Sequence, residues 1–226
     1  MKIKTFIAGN LALLLLTALS LQAADSLTKF TARSGSKMRL EGTSNIHDWQ
    51  CESPLIGGYV DVGPNFPTEP GQNCTAGKVD AKGEAFITVR SLKSVEKDGK
   101  PYSDKMDDVM YEHLKVDESA ANKRIVFQLN ELTLTEPAAS KDAPYGFECK
   151  GQLTVAGVSV PVTVPLKVIP LGEKKLKISG AFPLKMTDFK VEPPAPKIAL
   201  GMIKTGDEVK VSFDWMVAQR PAPAAK

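Results

Sequence analysis

The chain has 226 residues, with 29 Lys+Arg against 26 Asp+Glu, a formal net charge of +3, 42% hydrophobic residues and 24% charged residues. Fractions of this ordinary size exclude a disordered or fibrous chain. The length fits one large β domain or two small ones, and the near balance of charge argues against a nucleic-acid binder, which carries a clearly basic domain. Residues 1–23 read as a cleaved secretory signal: Lys2 and Lys4 precede an apolar run from Phe6 to Leu21, and Leu21-Gln22-Ala23 before Ala24 resembles a small-residue cleavage site. An uncleaved anchor is the alternative, but the run is shorter than the roughly 20 predominantly apolar residues of a spanning helix and contains Asn10 and Thr17. Cleavage takes the balance from 29 against 26 to 27 against 26, a net +1. The expected location is periplasmic or otherwise exported, a setting in which thiols oxidise.

The remainder alternates with period two. Met38, Leu40 and Gly42 face away from Arg39 and Glu41, and Val79 to Val89 alternates as one run. Ile125, Phe127 and Leu129, then Val160, Val162, Val164 and Leu166, then Leu176, Ile178, Gly180 and Phe182, and finally Val209 to Val217 repeat the pattern. This is the pattern of half-buried antiparallel strands. With strands near residues 46–62 and 145–155 the total is about eight. The predicted fold is all-β, a single antiparallel lipocalin-like barrel over residues 24–220, with a two-sheet sandwich as the alternative. Residues 103–116 break the pattern. Met106, Val109, Met110, His113 and Leu114 recur at helical spacing, with Ser103 as N-cap and Asp104 and Asp107 in the first turn. Asp107-Asp108 reads as a solvated acidic face. Pro193 to Pro196 marks a stiff loop, and residues 221–226 form a tail expected to be disordered.

Cys51 and Cys74 flank a Gly/Pro-rich stretch, residues 63–71. A disulfide between them would staple a long loop, worth about 3–4 kcal/mol, and leave Cys149 over; the two other pairings stay open. His47, in Ser44-Asn45-Ile46-His47-Asp48-Trp49, and His113 are the only histidines. Neither shows metal-ligand spacing with the other or with a Cys, so no metal site is expected. Gly-rich phosphate loops and Gly-x-Ser-x-Gly elbows are lacking in the sequence. The Lys174-Lys175-Leu176-Lys177 segment reads as the outer face of a strand, capable of at most transient contact with an anionic membrane surface. Nothing in the sequence sets an oligomeric state.

Several segments together carry a family resemblance. Glu41 to Trp49, Ser91-Leu92-Lys93-Ser94 and the helix with Asp107, Met110, Tyr111 and Leu114 come first. Gly151-Gln152-Leu153-Thr154-Val155-Ala156-Gly157-Val158 then leads into Pro161-Val162-Thr163-Val164, and Met186-Thr187-Asp188-Phe189 precedes the last strand. In these the chain resembles the YceI-like family of exported lipid- and polyisoprenoid-binding proteins, over roughly Lys29 to Val217. The resemblance implies a lipocalin-like barrel with an apolar interior, a lipid-like ligand and no required cofactor. It departs from the family at residues 116–123 and in the Cys51–Cys74 insertion.

The expected function is a non-catalytic carrier of an isoprenoid or other lipid-like amphiphile. The interior positions are Met38, Leu40, Ile87, Val89, Phe127, Leu129, Val162, Val164, Ile178, Phe182, Phe213 and Trp215, with Trp49, Tyr111, His113 and Leu114 at the mouth. A barrel of this strand number is either hollow or filled by its own side chains. The alternatives are a hydrolase or isomerase of lipid-like substrates using His47 or His113, and an envelope adaptor without a ligand.

Overall fold

A computed structural model describes residues 27–195 and 203–219. The signal segment and the tail lie outside the described residues. The strands are β1 (Thr28–Ala32), β2 (Lys37–Ser44), β3 (Trp49–Ser53), β4 (Gly57–Val62), β5 (Gly77–Val79), β6 (Ala81–Thr88), β7 (Lys93–Ser94), β8 (Arg124–Glu136), β9 (Tyr145–Val155), β10 (Val158–Gly172), β11 (Lys175–Lys185) and β12 (Thr205–Gln219), with helix α1 (Asp104–His113) between β7 and β8.

These form eight long staves, three of them bent. β2 pairs with β3 while β1 pairs with β4, so β1–β2 and β3–β4 are each one stave with a break. β6 and β7 form a third, pairing with β4 and β3. Every stave pairs antiparallel with its neighbours in sequence, and β12 closes the ring against β2 over Thr205–Asp214 and against β1 over Val217–Gln219. The fold is therefore a closed up-and-down barrel, and the closing pair decides against the sandwich. Closure removes the free edges of the sheet except along one seam of β10.

The breaks have local causes. Gly35, at φ 92°, turns the chain between β1 and β2, in a conformation that favours glycine. Ser53 closes a tight turn on Leu55, and its hydroxyl lies 2.8 Å from that of Ser91, which donates to the Thr88 carbonyl. The second and third staves thus bend where two serines meet. The expected single strand from Val79 to Val89 is two strands, because β5 pairs only with β8 and the chain leaves the sheet at Val89–Ser91 as a 3-10 turn.

One seam is open. β10 pairs with β11 only from Leu166 opposite Gly180 onward, so Val158–Pro165 has no ladder to β11. Pro161, Pro165 and Pro183 lie along this stretch, and proline has no N–H to give. The 3-10 turn Met186–Phe189 fills the gap, with Phe189 and Val191 buried against Leu153 and Val155. Asp207 holds the turn, accepting from the Thr187 N–H and hydroxyl at 2.9 and 2.6 Å.

The far end is sealed. Phe30, Val62, Leu134, Tyr145, Val168, Leu176 and Val217 are essentially inaccessible. Phe66, from the loop after β4, stacks on Phe147 at 5.3 Å. That loop was expected to be stapled by Cys51–Cys74, but the two cysteines are separate buried thiols. Cys51 sits on β3 opposite Leu40 and within the field of Asp107, while Cys74 lies at the sealed end. The loop is held instead by Gln72. Its Oε1 accepts the Thr68 and Glu69 N–H groups, and its carbonyl accepts the Tyr145 hydroxyl.

Candidate functional site: an apolar lumen

Between the sealed end and α1 the barrel encloses a cavity of about 510 Å³. Sites that hold small apolar ligands commonly measure ~300–1,000 Å³. The inward positions of the alternating strands form its wall, which is why period-two patterning located so many of its residues. Met38, Leu40, Ile87, Phe127 and Leu129 line it. So do Val164, Ile178, Phe182, Phe213 and Trp215. Trp49, His113 and Leu114 line it from the open end. The Trp215 indole N–H is buried without an acceptor.

Three expected positions fall elsewhere. Val89 leaves the strand in the 3-10 turn, and its side chain packs with Tyr111 and Val116 in a small cluster off the lumen. Tyr111 is an anchor rather than a mouth residue. It is buried behind α1, and its hydroxyl donates to the carbonyls of Leu92 at 2.7 Å and Arg90 at 3.3 Å. Val162 packs between the main core and the cluster beneath Phe189, beside the open seam.

Helix α1 closes the open end with Met106, Val109 and Met110, which all line the cavity. Their helical spacing was legible in the sequence. Phe66, Phe189 and Val191 also line it, but they sit in irregular segments where no periodicity marks them. Two details of α1 correct the sequence reading. Ser103 occupies the N-cap position without a side-chain cap bond; its backbone N–H and carbonyl are both engaged by the Ser94 hydroxyl. Asp107 is not part of a solvated face. It is 3% exposed, accepts the Ser94 N–H at 2.7 Å and pairs with Lys93 at 3.0 Å, fastening the helix to the wall. Asp108 is exposed, as expected.

Polar lining groups gather at this open end: Ser44, His47, Tyr102, Ser103, Lys105 and His113. Apart from these, the rim residue Thr205 and the cross-strand pair Tyr59 and Glu84 on the β4–β6 wall, the side chains of the lining are apolar, sulfur-bearing or indole. The Ser44 hydroxyl accepts the Ile46 and His47 N–H groups and donates to the His47 carbonyl, so it is spent on the turn. His47 Nδ1–H donates to the Asp48 carbonyl at 2.8 Å, and the Tyr102 hydroxyl donates to His47 Nε2 at 3.3 Å, with the rings edge to face at 5.9 Å. His113 Nδ1–H donates to the Glu192 carbonyl at 2.8 Å. Both imidazoles are thus oriented by main-chain carbonyls.

Cys51 and Cys149 line the wall below. Burial, and for Cys51 also the nearby charge of Asp107, pushes each thiol up to about 12. Such thiols stay protonated at neutral pH, whereas a nucleophilic cysteine is a thiolate in an electropositive setting. Among the described residues no cluster of His, Cys, Asp and Glu has the arrangement to hold a metal ion.

The model of the YceI-like domain family matches residues 27–217, nearly all of the described barrel. The chain belongs to the YceI-like domain family. No curated protein matches the sequence. Solved structures resemble this YceI-like barrel across most of its length. They include Burkholderia cenocepacia BcnA, at 19% identity and TM-score 0.55, covering 81% of this chain and 96% of the other. A polyisoprenoid binding domain from Saccharophagus degradans implicated in plant cell wall breakdown matches at 12% identity and TM-score 0.58, covering 86% of this chain and 99% of the other. The Campylobacter jejuni YceI protein matches at 15% identity and TM-score 0.50, over 75% and 84%. At these identities the likeness establishes the shared fold of the YceI-like barrel.

Proposed function

We propose that the protein is an exported, non-catalytic carrier that holds an isoprenoid or another lipid-like amphiphile in the barrel lumen. The observation that carries this reading is the distribution of polarity: a largely apolar cavity of about 510 Å³ with most of its polar groups, Tyr59 and Glu84 on the wall excepted, collected at one end. An amphiphile has the same distribution. Each buried ligand methylene contributes about 0.8 kcal/mol, so about ten of them supply roughly 8 kcal/mol before the costs of ordering the chain. Affinity in this design comes from the tail, and the rim groups around His47, Tyr102, Lys105 and His113 select the head. That one structural relative is a polyisoprenoid binding domain agrees with the reading. The secretory pattern of residues 1–23 supports export.

The test is to purify the full-length product from the cells that make it, extract it with organic solvent and identify the extract by mass spectrometry. A stoichiometric apolar amphiphile is expected. Repeated recovery of lipid-free protein that also fails to take up offered isoprenols would overturn the proposal. Recovery from the cytosol with residues 1–23 intact would overturn the exported part alone.

A further inference from the structure

We infer that Gly42 and Gly180 set the bore and depth of the lumen by giving the rings of Trp49 and Phe213 a place to lie against the wall, and so decide which chain lengths the barrel accepts. The inference rests on the carrier reading above and adds the residues that determine specificity.

Besides Gly83 on β6, whose missing Cβ would meet the Tyr59 carbonyl and Val60, three glycines stand at inward positions of alternating strands: Gly42 after Met38 and Leu40, Gly151 between Cys149 and Leu153, and Gly180 between Ile178 and Phe182. None of the three has a positive φ, so their backbone is open to any residue. What each lacks is a Cβ, and in each case an aromatic ring occupies that space. A Cβ on Gly42 would collide with the indole of Trp49, whose atoms are its three nearest neighbours. A Cβ on Gly180 would meet the Phe213 ring at 2.9 and 3.0 Å and the Pro165 carbonyl at 3.0 Å. A Cβ on Gly151 would strike both the Phe127 ring and the Gln128 carbonyl. Trp49 and Phe213 are the direct cross-strand partners of Gly42 and Gly180. All three rings line the cavity.

An eight-stranded barrel is just wide enough for its own side chains to fill it. Rings this large keep the lumen open when they lie along the wall, over a neighbouring strand that has no side chain, and obstruct it when they stand across it. The register gives each pair a depth. Along β2 and β12 the inward pairs run Gly42–Val209, Leu40–Val211 and Met38–Phe213, with Trp215 and Val217 beyond them toward the sealed end. Four residues separate the first pair from the third, about 13 Å along a strand. Gly42 with Trp49 therefore governs the entrance, and Gly180 with Phe213 governs how far a tail descends.

The test compares wild type, Gly42→Ala, Gly180→Ala and the double variant Gly180→Ala/Phe213→Leu. Each is titrated with farnesol, geranylgeraniol and solanesol by displacement of a fluorescent apolar probe, with circular dichroism and thermal melts as the check on folding. Gly180→Ala is expected to weaken geranylgeraniol and solanesol by about tenfold or more, as loss of room in an apolar pocket does, and to leave farnesol nearly unchanged. Gly42→Ala is expected to weaken all three. Shrinking the ring in the double variant restores the long chains. A folded Gly180→Ala protein that binds all three as wild type does, or a folded double variant that fails to recover, overturns the inference. If Gly180→Ala does not fold, Phe213→Leu alone decides: a deeper lumen raises solanesol affinity, and an unchanged affinity refutes the assignment. If wild type binds none of the alcohols the isoprenoid form of the carrier reading fails, and crystal structures of the glycine variants then judge this inference separately. Rings displaced into the lumen uphold it, and rings left in place refute it.

Discussion

Asp107→Ala is the sharpest probe of how the lumen is closed. The Asp107 carboxylate is the acceptor for the Ser94 N–H at 2.7 Å, and both residues are almost wholly buried. Alanine leaves that N–H without a partner, a loss of about 1–3 kcal/mol. The ion pair with Lys93 adds little, since the lysine side chain is 56% exposed and pairs of that kind contribute about 0–1 kcal/mol. Asp107 also stands in the first turn of α1, where a negative charge contributes about 0.3–1 kcal/mol. Removing a buried carboxylate relieves its own desolvation, which offsets part of the sum. The expected destabilisation is about 2–3 kcal/mol, or roughly 4–12 °C in Tm for a chain of this size. Asp107→Asn keeps an acceptor for Ser94 and is expected to cost about 1 kcal/mol, the difference between a charged and a neutral acceptor. Urea unfolding measures both, and hydrogen exchange of the α1 amides shows whether the helix detaches first. A change below about 0.5 kcal/mol for alanine, or asparagine as damaging as alanine, would refute the account of Asp107 as the helix fastening.

The three buried cysteines should react with a thiol reagent only after unfolding, and all three should then be counted; fewer than three thiols in denaturant means a disulfide has formed and the free-thiol arrangement is wrong. Because burial raises the Cys51 and Cys149 thiols to about 12, their contribution is complete below the unfolded-state value near 9 and is lost as pH rises from there toward 12. Stability should decline across that window, and Cys51→Ser/Cys149→Ser should flatten the decline. At the other extreme, the hydrogen bonds from Thr187 hold the Asp207 carboxyl below its ordinary value. That contribution is present above about pH 4 and vanishes as pH falls through the depressed value. The protection factor of the Thr187 amide, its exchange measured against the intrinsic rate at each pH, should fall on acidification in wild type, and Asp207→Asn should remove that dependence; a flat wild-type profile would refute the pin.

Much of the lumen could be read from alternation alone. In β2, β8, β11 and β12 a period of two puts every second residue on the same face, and Met38, Leu40, Phe127, Leu129, Ile178 and Phe213, read as inward from that period, line the cavity. The rule failed where a strand stopped. Val89 follows the alternation in sequence, but a 3-10 turn at Val89–Ser91 rotates it off the wall, and nothing in the letters marks the turn. It also failed for Tyr111, where helical spacing gave the face of α1 but not which face met the lumen and which met Leu92 and Arg90. The Cys51–Cys74 expectation failed because closeness was inferred from a loop's composition, while the two residues belong to different ends of the barrel.

By itself the sequence determined the strand faces, helix α1 and the apolar character of the interior, because these follow from local periodicity. The tertiary structure decided closure, since the pairing of β12 with β1 and β2 joins residues far apart in the chain. It also decided that the barrel is hollow. Whether an inward aromatic fills a lumen or lines it depends on the residue across the next strand, and only the register places Gly42 opposite Trp49 and Gly180 opposite Phe213.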